Sequence, residues 1–121
     1  MEITISQKTA RVSVTVMQVQ GSVDSSNYQD FTSAARKAIL EGTQYLLVDL
    51  SACDYMSSAG IRSLNEIFLL FRKNFADEQG GRSQHLKLLN PSDRLREVFS
   101  ISGVDAFFEV HADIETAIAS F

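Results

Sequence analysis

Two different sequence patterns meet, and the fold is decided, in the stretch Asp49-Leu-Ser-Ala-Cys-Asp-Tyr-Met-Ser-Ser-Ala-Gly-Ile-Arg-Ser-Leu64. Before it, residues 45–50 form an almost continuous apolar run, which is typical of a parallel strand buried on both faces. After Ser58, apolar residues recur at steps of three and four, which predicts an amphipathic helix up to about Phe75. We therefore predict a buried strand, a short loop and then a helix. The apolar stripe of that helix consists of Ile61, Leu64, Phe68, Phe71 and Phe75.

Upstream of this stretch, the sequence predicts a hairpin followed by a helix. β-Branched and polar residues alternate over residues 12–18 and again over residues 3–5, which favours two half-buried strands with a turn at 7–10. One of Ser25, Ser26 or Asn27 can cap the following helix, and Gly42 suits its C-terminal end. The predicted core face of this helix consists of Tyr28, Phe31, Ala35, Ala38 and Leu40.

Downstream, the sequence predicts two further strand–helix pairs. Residues 77–84 are polar and contain two glycines, which indicates a loop, and a short strand follows at 85–89. Ser92 is expected to cap a third helix and Asp113 a fourth, with a strand at 106–110 between them. The apolar residues assigned to these helices are Leu95, Val98, Phe99, Ile114, Ala117 and Ile118.

The predicted order of elements is therefore β-β-α-β-α-β-α-β-α. Alternating strands and helices after an opening hairpin predict an α/β fold with a mixed, mostly parallel sheet packed against about four helices on one side or both. A chain of 121 residues fits a single domain.

Composition argues against several classes of protein. The longest apolar run is residues 67–71, far below the ~20 residues that span a bilayer, and the first residues lack the pattern of a secretory signal. Cys53 is the only cysteine, which excludes an internal disulfide and favours a reducing compartment. We therefore expect a cytoplasmic protein without a membrane segment. The net charge of −4, with scattered basic residues, argues against nucleic-acid binding.

Common catalytic signatures are missing from the sequence, including the nucleophile elbow, the P-loop and the dinucleotide-binding glycine motif. His85 lies in a predicted strand and His111 just after one, where histidines are more often structural than general bases. An enzyme with Ser58 as its nucleophile would need a base within hydrogen-bond reach, and neither histidine is near it in sequence. We expect a protein with no catalytic activity and no cofactor or metal of its own.

Ser57 and Ser58 stand at the predicted start of the second helix. A serine there has an ordinary structural role, because its side-chain oxygen caps the helix by accepting a bond from an N–H two or three residues on. A phosphate there would also be tolerated, since it would face unpaired N–H groups while adding about −1.5 to −2 charges. The pair is therefore also a candidate switch for binding another protein.

The solvent face of the same helix extends this candidate site. At helical spacing it comprises Ser58, Arg62, Asn65, Glu66, Leu69 and Lys73. Leu69 is the apolar member of this face, and a single exposed leucine is ordinary. As a hypothesis, Leu69 is an apolar anchor for a partner, with Arg62 and Glu66 at the rim.

Two neighbouring segments resemble the STAS domain of bacterial anti-sigma-factor antagonists. They are Leu-Val-Asp-Leu-Ser at 47–51 and Met-Ser-Ser-Ala-Gly-Ile-Arg-Ser-Leu at 56–64. Gly21-Ser-Val-Asp24 is similar to the family's Gly-x-Leu-Asp turn, and Ser100-Ile-Ser-Gly-Val104 resembles its Ser-Gly-Leu segment. The order of elements agrees along essentially the whole chain. The resemblance implies one STAS domain over residues 1–121.

In that family the phosphorylated serine lies two residues before the motif glycine. Because Gly60 is that glycine, the resemblance implies Ser58 as the acceptor in preference to Ser57, which stands where the family often has aspartate. The expected partner-binding residues are Asp24, Ser25, Ser57, Ser58, Arg62, Glu66 and Leu69.

The resemblance also implies a partner switch. The dephosphorylated protein binds an anti-sigma factor that is also a serine kinase, which frees a sigma factor. Phosphorylation of Ser58 ends this binding, and a PP2C-like phosphatase restores it. ATP and its metal belong to these partners, and the chain is expected to be a monomer. The alternative interpretation is a soluble STAS subunit that regulates an anion or lipid transporter.

Overall fold

A computed structural model describes residues 1–75 and 82–121. Within these ranges the chain forms six strands in one sheet, four α-helices and one short 3-10 helix. The predicted loop at 77–84 lies largely outside the described residues. In chain order the elements are β1 (Glu2–Thr9), β2 (Ser13–Val23), α1 (Tyr28–Leu40), β3 (Leu46–Asp49), β4 (Cys53–Met56), α2 (Ser58–Asn74), β5 (Leu86–Leu89), α3 (Asp93–Ser102), the 3-10 helix (Val104–Ala106), β6 (Val110–His111) and α4 (Ile114–Ala119).

The sheet is mixed and mostly parallel, which confirms the predicted fold class. Its order is β1-β2-β3-β5-β6, and β4 also pairs with β2. β1 runs antiparallel to β2, while the pairs β2–β3, β2–β4, β3–β5 and β5–β6 are all parallel. All four residues of β3 and of β5 are buried, as their apolar sequences predict for central strands.

Helices cover both faces of the sheet, but unequally. The larger core lies on the side of α1, α2 and α3, where Phe31, Phe71 and Phe99 pack over apolar residues of β2, β3 and β5. A smaller cluster lies on the other face, where Ala117 and Ile118 of α4 pack with residues that include Val14, Val16 and Leu47. The side of the three longer helices therefore holds most of the buried apolar surface, and α2 crosses it.

The opening hairpin is confirmed, but two details of the prediction are wrong. β1 continues to Thr9, which pairs with Ser13, so the turn lies at 10–12 and not at 7–10. β2 is also buried on both faces because β1, β3 and β4 flank it and helices cover both sides. Thr15, which the alternation assigns to the less buried face, is only 3% exposed and bonds to the Thr43 hydroxyl at 2.8 Å.

Two segments near chain reversals differ from the prediction. Residues 53–56, predicted as a loop, form β4, whose ends Cys53 and Met56 are buried against β2. Of residues 106–110, which the sequence predicts as a strand, only Val110 belongs to one. The 3-10 helix covers 104–106, and β6 begins at Val110. Both segments take their structure from tertiary contacts, since four or five residues carry too little periodicity to specify it.

The N-termini of α3 and α4 and the C-terminus of α1 follow the sequence rules. Ser92 accepts a hydrogen bond from the Leu95 N–H at 3.2 Å, and Asp113 accepts one from Thr116 at 3.0 Å, so both predicted caps are confirmed. Gly42 has a φ of +103°, which side chains rarely adopt.

The helix faces also follow the sequence, with exceptions at the margins. Leu64, Phe68 and Phe71 of α2 are buried, whereas Leu40 at the end of α1 is 81% exposed, so its assignment to the core is wrong. Leu40 follows the buried Ala38 by two residues, a rotation of about 200° around the helix. Further partly exposed members of the predicted faces are Tyr28, Ile61, Phe75, Val98 and Ile114.

A buried lysine of β5 contacts the residue that precedes β6 and the two residues that follow α4. Lys87 is 3% exposed, and its ammonium donates to the Ser120 carbonyl at 2.9 Å and the Ser120 hydroxyl at 3.0 Å. The same nitrogen lies 3.4 Å from Glu109 Oε1 and 4.7 Å from the centre of the Phe121 ring. This group fastens α4 to the sheet.

In the described ranges, no helix is long and apolar enough to cross a membrane.

We expect Lys87→Met to lower the free energy of unfolding by roughly 1–3 kcal/mol, because methionine keeps the apolar stem but loses the two hydrogen bonds to Ser120 and the ion pair with Glu109. Urea denaturation followed by circular dichroism measures this change. Lys8→Met, at an exposed position of β1, is the matched control and should change little. Equal unfolding midpoints for the two variants would contradict the fastening role.

Candidate partner-binding surface

The start of α2 is tied to the end of β2 by the backbone. The Ser57 N–H donates to the Val23 carbonyl at 2.9 Å, directly after β4 and β2 end their pairing at Met56 and Val23. Gly60 makes this approach possible, since a Cβ there would lie 2.9 Å from the Val23 carbonyl oxygen and 2.5 Å from Met56 Cγ. The motif glycine is therefore required by a close contact between helix and sheet.

The two serines at this point have different environments. Ser57 is partly buried at the N-cap position, and its hydroxyl accepts the Gly60 N–H at 3.4 Å. Ser58 is the first residue of α2 and is exposed, and within the described residues its hydroxyl has no hydrogen-bond partner. Capping therefore accounts for Ser57 and leaves Ser58 available at the surface.

The loop between β2 and α1 lies next to this pair. Asp24 Oδ1 accepts the N–H of Ser26 at 2.9 Å and its hydroxyl at 2.5 Å, and these bonds hold the pKa of Asp24 below its usual range. Asn27 Oδ1 accepts the Asp24 N–H at 2.9 Å instead of capping α1. Ser25 is exposed on this ordered loop. Since Val23 bonds to Ser57, the structure brings Asp24 and Ser25 to the same end of the sheet as the two serines.

The predicted solvent face of α2 is exposed, but it divides between two surfaces. Ser58, Arg62 and Asn65 line a groove that faces the 3-10 helix, whereas Glu66 lines a depression beside α1 together with Tyr28 and Arg36. Leu69 is 52% exposed. Arg62 and Glu66 therefore border different depressions, although they are only one helical turn apart.

The groove beside Ser58 has an apolar lining that sequence reasoning missed. Its volume is about 380 Å³, and its other wall comes from residues 102–108. Phe107 is 42% exposed at this wall, and its ring centre lies 5.2 Å from that of Phe68. Because residues 106–110 were predicted as a strand, nothing placed them beside α2. The available signal was the Ser100–Val104 segment together with the two adjacent phenylalanines that follow it. The apolar lining residues are Ile61, Val104, Phe107 and Phe108.

A family model for the STAS domain matches residues 6–117. The chain belongs to the STAS-domain family. It is 34% identical over 103 residues to BtrV of Bordetella bronchiseptica, a candidate anti-sigma factor antagonist, covering 85% of this chain and 82% of that protein. The resemblance of the sequence to the STAS domain of anti-sigma-factor antagonists is therefore confirmed.

Solved structures show the same fold. An anti-sigma factor antagonist from Mycobacterium paratuberculosis is similar with a TM-score of 0.74 and 18% identity, covering 98% of this chain and 93% of that chain. The Bacillus cell fate determinant SpoIIAA in its phosphorylated form is similar with a TM-score of 0.64 and 21% identity, covering 95% of this chain and 96% of that chain. At these identities the similarity concerns the STAS fold.

The histidines and the cysteine of this STAS domain lie in other environments. The His85 ring stacks between Tyr45 and Phe75, with ring centres 5.0 and 4.7 Å away. His111, in β6, has its Nε2 3.1 Å from Oε1 of Glu109, the residue that precedes this strand. Neither is a hydrogen-bond partner of Ser58 within the described ranges. Cys53 is buried, and burial raises the pKa of its thiol.

We expect Gly60→Ala to destabilise the STAS fold by roughly 1–3 kcal/mol, because a methyl group would overlap the Val23 carbonyl, which cannot rotate away. Thermal unfolding of the purified variant measures this loss. Lys73→Ala, at an exposed position of the same helix, is the control and should stay within about 0.5 kcal/mol of wild type. A Gly60→Ala protein as stable as this control would refute the close-contact explanation.

Proposed function

We propose that the protein is an anti-sigma-factor antagonist whose binding is controlled by phosphorylation of Ser58. In its dephosphorylated form it binds an anti-sigma factor that is also a serine kinase, and a sigma factor is released. Phosphorylation of Ser58 ends this binding, and a PP2C-like phosphatase restores it. The observation that carries the proposal is the division between the two serines, since Ser57 caps α2 while the exposed Ser58 hydroxyl is free to react.

The comparisons support this function in two ways. BtrV, the relative at 34% identity, is named as a candidate anti-sigma factor antagonist. SpoIIAA has been solved in a phosphorylated form, so a protein with this fold can carry a phosphate and remain folded. Both facts concern the relatives, and we extend them to this chain because its motif serine has the required exposure.

The proposed switch needs no change of fold. A phosphate on Ser58 would add about −1.5 to −2 charges to the surface beside Asp24 and Arg62, in the middle of the proposed interface. A partner that docks there would meet new charge and new bulk, and interfacial like-charge contacts cost several kcal/mol. The protein itself acts as substrate and binder, without cofactor or metal, as a cytoplasmic monomer.

The acceptor assignment is tested by incubating the protein with its cognate anti-sigma kinase and ATP, followed by mass spectrometry of the intact protein and its peptides. We expect one phosphate on wild type, none on Ser58→Ala and one on Ser57→Ala. The last variant is the matched control, since it loses the helix cap, worth about 1 kcal/mol, but keeps the acceptor. A phosphate on Ser58→Ala that disappears in Ser57→Ala would overturn the assignment.

The binding surface is tested separately by titrating variants against the same kinase. Ser58→Ala should bind whether or not ATP is present, and Ser58→Asp should bind more weakly. Leu69→Ala should weaken binding by about fivefold or more, because truncation of an interface anchor costs about 1 kcal/mol or more.

Leu40→Ala is the matched control for Leu69→Ala, since Leu40 is an exposed leucine at the end of α1. It should leave the affinity unchanged. If the two leucine variants bind equally well, Leu69 is no anchor, and the interface lies elsewhere on α2.

A further inference from the structure

The groove beside Ser58 contains a single charged side chain. Its lining residues come from the first half of α2 and from residues 102–108, and Arg62 is the only ionised group among them. The remaining polar members, Ser58, Asn65 and Ser102, are neutral. An otherwise neutral, partly apolar groove therefore carries one positive charge next to the proposed phosphorylation site.

Arg62 has no ionic partner of its own within the described residues. The ion pairs found there join Glu109 to Lys87 and to His111, on a different part of the sheet. Glu66, four residues after Arg62 on α2, is the acidic side chain nearest in the helical pattern, but it lies in the depression beside α1. The Arg62 guanidinium is therefore exposed and forms no ion pair within the described residues.

Ser58 and Arg62 are separated by one helical turn. Residues at positions i and i+4 of a helix are neighbours on its surface, and an acidic group N-terminal to a basic group is the more favourable order. A guanidinium fork can also bind a phosphate with two parallel hydrogen bonds. Both side chains already line the same groove, so no movement of the backbone is needed to bring them together.

We propose that Arg62 binds the phosphate of Ser58 within the same molecule, which closes the groove in the modified protein. This inference rests on the proposed function, because it requires a phosphate at Ser58. The ion pair lies on the α2 wall of the groove, beside Ile61 and facing the wall that contains Val104 and Phe107. Phosphorylation then removes two contacts from a partner at once, the free guanidinium and the apolar groove, in addition to introducing repulsion.

The pairing is tested on protein with phosphoserine incorporated genetically at position 58, which needs neither the kinase nor any partner. The second ionisation of the phosphate is followed by phosphorus NMR across a pH titration. Arg62 favours the doubly charged phosphate, so the pKa of this ionisation in wild type should be about 0.5 unit lower than in Arg62→Gln. Arg62→Lys keeps the charge but loses the fork and should give an intermediate value.

Arg72→Gln is the matched control. It removes the same charge from an exposed position on α2, but ten residues beyond Arg62 and about 20 Å from Ser58 by the helical rise. It should titrate like wild type. The acidic groups Asp24 and Glu66 are the same in every variant, so their influence on the phosphate cancels in the comparison.

Identical phosphate titrations for Arg62→Gln and Arg72→Gln would overturn the internal ion pair. This result is distinct from failure of the proposed function, which would be shown by a kinase that does not phosphorylate Ser58. A lowered pKa in wild type together with a guanidinium Nε–H signal of Arg62 that shifts only when the phosphate is present would establish the pairing.

Discussion

One backbone hydrogen bond, from the Ser57 N–H to the Val23 carbonyl, holds together the part of the molecule on which the site depends. It joins the end of β2 to the start of α2, and it forms only because Gly60 has no side chain to obstruct the approach. The bond continues the parallel pairing of β4 with β2 and sets where α2 begins. The position at which α2 begins determines that Ser57 caps the helix and that Ser58 faces solvent.

The contact between α1 and α2 fixes the rotation of α2 about its axis. The Ser63 hydroxyl is buried, donates to the Tyr28 carbonyl at 3.0 Å and also hydrogen-bonds to Thr32. Buried polar groups tolerate little displacement, because a lost partner leaves a desolvated group unpaired. With Ser63 held against α1, the neighbouring Arg62 is directed away from the core and lines the groove on the other side of the helix. The two surfaces of α2 are therefore consequences of how it is packed.

The sequence predicted those features whose causes are local. The stripe of α2, the buried run at 46–49 and the caps at Ser92 and Asp113 depend on spacing or on one side chain, and all appear in the structure. The features that it missed depend on distant partners. β4 is a strand because residues 21–23 lie beside it, and Phe107 lines the groove because a 3-10 helix stands where a strand was predicted.

The division of roles between Ser57 and Ser58 bears on how a modification can alter binding without altering stability. A phosphate on Ser57 would disturb the hydroxyl that caps α2 and would act on a partly buried group beside the Val23 contact. A phosphate on Ser58 would project from the first turn of α2 toward the groove, which already contains the positive charge of Arg62. In the proposed switch, Ser57 keeps the cap of α2 while Ser58 carries the phosphate, so the modification does not disturb the fold. The change in free energy is then confined to the surface that a partner would contact.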